Sequence, residues 1–213
     1  MARPARVSPD RILAAAAVEF AARGYAGARV DQIARRARVN KAMLYYHFRS
    51  KQGLYRALLR DTFTRAGDRL QAIAASAAPP ADQLDSAIVA IAGFIRQHQF
   101  FASIMLREIA ESGAHLDLDT LAALAALPRA VGGIIQRGVD EGAFRPVHPL
   151  AAYFSMLAPI VVYLAGAPIR RQLSARHLAG GPPLTDDAFI EYIQDTMRRA
   201  LGPDGRGSTR ARR

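Results

Sequence analysis

The 213-residue chain contains no cysteine. That excludes a disulfide framework and any thiolate metal site, and it fits an intracellular setting. The opening MARPARVSPD lacks the apolar run of a secretory signal, so a cytoplasmic location is expected. Strand-like alternation is almost missing, and no internal repeat occurs. Nor is there an HExxH, a GxSxG or a Walker-type loop, which leaves catalysis without a nucleophile or a metal clamp and predicts a non-enzyme. Lysine is scarce as well, since 27 of the 29 basic residues are arginine.

What remains is apolar enough, at 51%, to fold around one sizeable core or around a small domain fused to a larger one. The net charge of +11 is unevenly placed. Residues 1–60 carry 13 Lys and Arg against only Asp10, Glu19 and Asp31, whereas the remaining 153 residues are nearly neutral. Basicity confined to one quarter of the chain points to a polyanion-binding module on a near-neutral body. Residues 149–168, PLAAYFSMLAPIVVYLAGAP, hold no charge and match a bilayer-spanning length. Three prolines and many small residues favour a buried interface helix instead.

Helical periodicity runs through most of the chain, so the fold class is all-α with nine or ten helices. Ser8-Pro9-Asp10 predicts a helix start, Ile12, Leu13, Ala16, Ala17 and Phe20 form its stripe, and Gly24 stops it. Short helices over about 30–37 and 40–47 precede a long one from 51 into the 70s. Leu84, Ala87, Ile88, Ile91, Phe94, Ile95 and His98 mark the next. Residues 99–111 continue as helix and ESGAHLDLD as a turn. Pro128 is expected to begin a separate helix, and RRQLSARHLAGGPP to be a loop. Thr185 caps the last helix, with Asp186 and Asp187 in its first turn and Arg198 and Arg199 in its last.

Residues 29–51 satisfy the needs of a helix-turn-helix. Ile33 and Ala34 allow close helix contact, Arg38 falls at the turn, Val39 plugs the core and Asn40 caps the second helix. With Leu44 and Phe48 facing inward, Lys41, Ala42, Tyr45 and Tyr46 face outward, with Met43 nearby.

VDQIARRARVNKAMLYYHFRSKQGLYRALL, preceded by AVEFAARGYAGA, resembles the N-terminal DNA-binding domain of the TetR/AcrR family of bacterial repressors. The likeness covers about residues 8–60 and rests on Phe20, Gly24-Tyr25, Ile33-Ala34, Val39, Leu44-Tyr45, Phe48, Lys51 and Leu54. Beyond residue 60 it is one of layout. It implies that Asn40, Lys41, Ala42, Met43 and Tyr45 approach base edges and that Tyr45, Tyr46, His47 and Lys51 hold phosphates. Gln32 and Lys41 suit either role. Three positions depart from the family pattern. Arg38 stands where glycine is usual, Arg29 replaces a Ser/Thr cap and adds a cation, and Met43 stands where a small or hydroxyl residue is common.

The expected domains are 1–52 for DNA binding, 53–201 for regulation and dimerisation, and a disordered basic tail over 202–213. The partners implied are a palindromic double-stranded operator, a second copy of the chain and a small, mostly apolar effector that releases DNA. Dimerisation is expected through Tyr153, Leu157, Ile160, Leu164, Phe189, Tyr192, Ile193 and Met197, pairing the last two helices into a four-helix bundle. Candidate effector-lining residues are Phe94, His98, Phe101, Met105, Tyr153, Met156 and Tyr163. Each of these stripes is also a fair core of one subunit.

No cofactor and no metal are expected. Glu108, Glu111 and His115 share a helical spacing that suits a metal, but Ser112 and Gly113 interrupt that face. Two alternatives to the effector-released repressor stay open: a sequence-specific regulator with no effector, and a charge-driven, non-specific polyanion binder.

Overall fold

The structure is a computed structural model that describes residues 8–178 and 180–203, the Gln99 side chain excepted. The basic tail expected from 202 onward therefore lies, past Pro203, outside the described residues. Ten helices occur among the described residues, with no strand. They are α1 (Pro9–Gly27), α2 (Val30–Ala37), α3 (Lys41–Phe48), α4 (Lys51–Ala74) and α5 (Pro80–Gln97). The others are α6 (Gln99–Ala110), α7 (Leu118–Asp140), α8 (Pro149–Ala165), α9 (Ala167–Ala175) and α10 (Asp186–Leu201).

Local chemistry starts several of these helices. Ser8 Oγ accepts from Asp10 N at 3.2 Å, and Thr185 Oγ1 accepts from Ala188 N at 3.2 Å, each satisfying a backbone donor that a helix start leaves free. Gly24 takes φ 68°, ψ 178° and breaks α1, although helical turns resume to Gly27. A side chain is disfavoured there, which is why glycine ends the regular run.

Two expectations fail. Pro128 lies inside α7 and does not begin a helix. Proline removes one helical hydrogen bond, at about 3 kcal/mol in an exposed helix. Here Leu127, Ala130, Val131 and Ile134 around it are buried and offset that loss. Residues 170–175, expected as part of a loop, belong to α9, which Pro168 enters in its first turn, where a missing N–H costs nothing.

Packing divides the helices into two compact units. The first takes in the chain through Arg65 together with His98–Leu124, and the second Ala66–Gln97 with the chain from Ala125 onward. This differs from a boundary at 52/53, because Tyr55, Leu59 and Phe63 of α4 are buried with Ile12, Ala16, Phe20, Ile33 and Leu44, and α6 packs on α1. In the second unit α5 packs on α8 and α10, around Leu84, Ile88, Met156, Ile160 and Ile193. Asp85 on α5 accepts Arg198 Nε at 2.8 Å, and Arg96 Nη1 meets Asp187 at 2.6 Å, fixing the register of α5 against α10.

The uncharged 149–168 stretch covers α8 and the first residues of α9, two helices bent by 52°; Ala152, Tyr153, Met156 and Ile160 are buried inside its own unit, where a buried interface helix was expected. By length and composition alone α7, 23 residues long, also reaches what a membrane crossing needs.

Candidate nucleic-acid interface

The helix-turn-helix is built by α2 and α3. Arg38 sits in the left-handed region at φ 53°, ψ 47°. Val39 N donates to Ala34 O at 2.9 Å and Arg38 N to Arg35 O at 3.1 Å, the paired bonds that close a helix when its next residue is left-handed. Arginine there costs on the order of 1 kcal/mol relative to glycine. Arg11 Nη2 donates to Ala37 O at 2.9 Å and places a cation at the negative end of α2. That role was not visible in the sequence, because Arg11 is 26 residues away.

Arg29 provides no side-chain cap for α2, as the sequence implies. Glu19 of α1 ties down the cap residue's own backbone instead, its Oε1 accepting from Arg29 N at 3.3 Å and from Arg23 Nε at 3.2 Å. Glu19 is buried, and a charged residue inside the α1 stripe was the available signal.

Asn40 caps α3, its Oδ1 accepting from Met43 N at 2.7 Å. Asn40→Ala is expected to destabilise the fold by about 1 kcal/mol, read as a lower denaturant midpoint. Burial of Leu44 fixes which face of α3 points outward. Asn40, Lys41, Ala42, Tyr45, Tyr46 and His47 are exposed, Met43 and Phe48 are half-buried, and Tyr46 is 80% exposed. An aromatic so exposed, on a helix with exposed Arg35, Arg36, Arg38 and Arg49 close to it in sequence, is suited to lie against a polyanion.

Two lysines are already engaged. Lys41 Nζ lies 2.8 Å from Asp31, bracing α3 to α2. That pair lowers the Asp31 carboxyl below the usual range and raises the Lys41 ammonium, through the hydrogen bond first and charge second. Lys51 Nζ donates to Ala26 O at 3.0 Å and lies 4.9 Å from the centre of the Tyr25 ring, tying the start of α4 to the end of α1. Arg29 is exposed and Gln32 half-buried on the same unit.

The expected effector-lining residues divide between the units: His98, Phe101 and Met105 in the first, Phe94, Tyr153, Met156 and Tyr163 in the second. His98 lines a cavity of about 400 Å³ with Leu13, Ala17, Leu58 and Phe100, where burial and then Arg65 hold its pKa below the ordinary value. Tyr163 lines another of about 630 Å³ with Arg170, Leu173 and Leu184. Its ring stacks on Phe189 at 3.8 Å while Arg170 covers the ring at 3.5 Å. Tyr153 is buried, and burial pushes its hydroxyl up to about 12.

Of the eight residues expected at a dimer interface, Tyr153, Ile160, Ile193 and Met197 are buried within one subunit and are therefore unavailable to a second. Leu157, Leu164 and Phe189 are half-buried and Tyr192 is 63% exposed. Leu150, Phe154 and Val162 carry the exposed apolar surface of α8, one step round the helix from the expected stripe.

The turn at Ser112 and Gly113 does not separate Glu108 and Glu111 from His115. Ser112 at φ 56° and Gly113 at φ 71°, with Gly113 N donating to Glu108 O at 2.7 Å, fold the chain back at the end of α6. His115 Nδ1 then lies 2.9 Å from Glu108 Oε1 and 3.3 Å from Glu111 Oε2.

Known proteins agree with this geometry. Residues 12–58 match the family described as "Bacterial regulatory proteins, tetR family", and residues 80–184 match "Tetracyclin repressor-like, C-terminal domain". The HTH-type transcriptional repressor NicS of Pseudomonas putida is 28% identical over 158 residues, covering 72% of this chain and 74% of NicS. The HTH-type transcriptional regulator RutR of Escherichia coli is 29% identical over 194 residues, covering 89% and 86%. The fatty acid degradation regulator FadR of Bacillus halodurans shares the fold at a TM-score of 0.74 and 17% identity, over 90% of this chain and 98% of FadR. With both halves of the chain matched and the head built as a helix-turn-helix, the protein belongs to the TetR family of bacterial DNA-binding transcriptional regulators.

Proposed function

We propose that the protein is a cytoplasmic repressor that binds a palindromic operator as a homodimer and leaves it when a small, mostly apolar effector binds its body. The single observation that carries the DNA-reading part is the outward face of α3, where Tyr45, Tyr46 and His47 are exposed while Leu44 anchors the helix. The phenol of Tyr45 offers a hydrogen bond and a flat apolar body to a base edge or a phosphate. Lys41 reaches a phosphate only in competition with Asp31, so its contribution is modest and salt-dependent.

A single helix-turn-helix makes too few contacts for tight selective binding, and two recognition helices about 34–36 Å apart read successive major grooves. Leu150, Phe154, Val162 and Tyr192 support α8 and α10 as the pairing surface, since α5 packs against both helices and leaves these four uncovered. An effector that prefers a body conformation with mismatched heads would weaken DNA binding by about 1–3 kcal/mol, and DNA would weaken effector binding equally. The cavity at His98 and the cavity at Tyr163 are the places supported for it.

Selection of bound fragments from the source genome identifies the operator. On that operator Tyr45→Ala is expected to weaken binding roughly 5- to 150-fold, with weak bulk-DNA affinity retained. Equal loss on operator and random DNA would reduce the protein to a charge-driven binder. Tight operator binding that no candidate effector ever alters would remove the effector from the account.

A further inference from the structure

Glu108 is 2% exposed, yet only half of its carboxylate is satisfied. Oε1 accepts the Tyr55 hydroxyl at 2.6 Å and faces His115 Nδ1, whereas Oε2 is buried without a hydrogen-bond partner among the described residues. A buried carboxylate oxygen left bare is unusual and asks for a cation or a donor. Glu111 brings a second carboxylate to the same Nδ1, which one ring proton cannot serve equally well. The donor atoms of all three residues lie within 4.8 Å of one another.

These spacings suit a metal ion. Ligands about 2.0–2.1 Å from a tetrahedral centre stand roughly 3.3 Å apart, and the imidazole nitrogen already lies 2.9 and 3.3 Å from the two carboxylates. The ligands are also oriented from outside. Tyr55 holds Glu108, Arg56 Nε holds the His115 carbonyl at 2.9 Å, and Tyr25 lies against the imidazole at 4.0 Å. Such outer contacts fix ligand geometry in metal sites. Arg107 and Arg56 are the nearby cations that oppose an ion, and Asp117 lies 3.5 Å from Arg56.

We propose that Glu108, Glu111 and His115 form a binding site for one divalent first-row transition ion, completed by water, that clips the turn after α6 to the end of α6, against Tyr55 of α4 and Tyr25 of α1. One imidazole with two carboxylates selects such ions over magnesium and calcium, which prefer all-oxygen shells. Because Tyr55 already holds Glu108 and Tyr25 already lies against His115, an ion that fixes these two ligands stiffens the place where α1, α4 and the end of α6 meet.

The full chain, free of any affinity tag and stripped with a chelator, is titrated with Zn2+ alone by calorimetry, without DNA, so that the outcome does not depend on operator recognition. One ion per chain is expected, with a rise in melting temperature and no uptake of Mg2+ or Ca2+. Glu111→Gln alters an exposed side chain and leaves the helical circular dichroism intact, and His115→Gln removes the imidazole. Each should weaken Zn2+ binding by more than the roughly 10- to 100-fold that loss of a contact behind a ligand brings, while His148→Gln on the exposed surface leaves it unchanged. Absence of uptake overturns the site, as does binding that the Glu111 and His115 variants leave intact. In either case the cluster is a hydrogen-bonded brace only.

Discussion

Phe20→Ala is expected to lower the unfolding free energy by about 3–5 kcal/mol, the largest single loss in the head. Phe20 has no exposed surface. Its ring meets the edge of Tyr55 at 4.7 Å and stacks toward Tyr25 at 6.2 Å, so truncation leaves a cavity between α1 and α4 and strips two aromatic partners of contact. Urea unfolding followed by circular dichroism measures the effect, and a loss under about 1 kcal/mol would show that the head collapses to refill the space. Tyr46→Ala provides the contrast. Its ring is 80% exposed, so stability should move by less than about 0.5 kcal/mol. A variant as stable as the wild type that binds operator poorly separates surface from core on neighbouring elements.

Gly53→Ala is expected to reverse the ordinary sign of a glycine-to-alanine change in a helix. Alanine normally stabilises a helix interior by about 1 kcal/mol. At Gly53 the added methyl would run into the carbonyl oxygen of Phe48, a backbone atom with no room to retreat. The joint between α3 and α4 is already tightly made. Arg49 takes φ 62°, Ser50 N donates to Phe48 O at 2.7 Å, and Ser50 Oγ accepts from Gly53 N at 2.9 Å. Relief of the clash must shift the end of α3, at a cost of about 1–3 kcal/mol. Because α3 is the proposed recognition helix, operator affinity should fall more than tenfold even where the protein remains folded, since small misplacements break base-edge geometry. Calorimetric melting with a gel shift on the operator checks both effects. Gly133→Ala in α7, where nothing lies within 4 Å of the new methyl, should instead stabilise by about 0.5–1 kcal/mol. If Gly53→Ala behaved like Gly133→Ala, the close approach of the two helices would be wrong.

Much of the head was legible because its signals are local. Ser8 and Asn40 in the head, like Thr185 at the start of α10 in the second unit, each satisfy a donor within three residues, so their capping roles follow from chain order. Arg38 was expected at the turn, and there it takes the left-handed conformation. Pro128 misled because its local penalty is offset by burial of its neighbours, which no short window contains. Glu19 and Arg11 act on backbone groups 10 and 26 residues away, and no periodicity announces such a meeting.

The stripes on α8 and α10 show the same limit. Sequence identified both helices as apolar, yet Tyr153, Ile160, Ile193 and Met197 close one subunit's own core, while Leu150, Phe154 and Val162 are left outside. Adjacent stripes differ by one step round a helix, and either can be buried until the packing partner is placed.

By itself, then, the sequence determined the all-α class, the capped starts of α1, α3 and α10, the basic head and the tyrosine-bearing outer face of α3, because capping, periodicity and charge act over a few residues. Only the tertiary structure decided which apolar stripe faces solvent, that Gly53 must lack a side chain, and that a turn brings His115 back to Glu108 and Glu111. Those outcomes depend on which distant surfaces meet, and that is settled by packing across the whole chain.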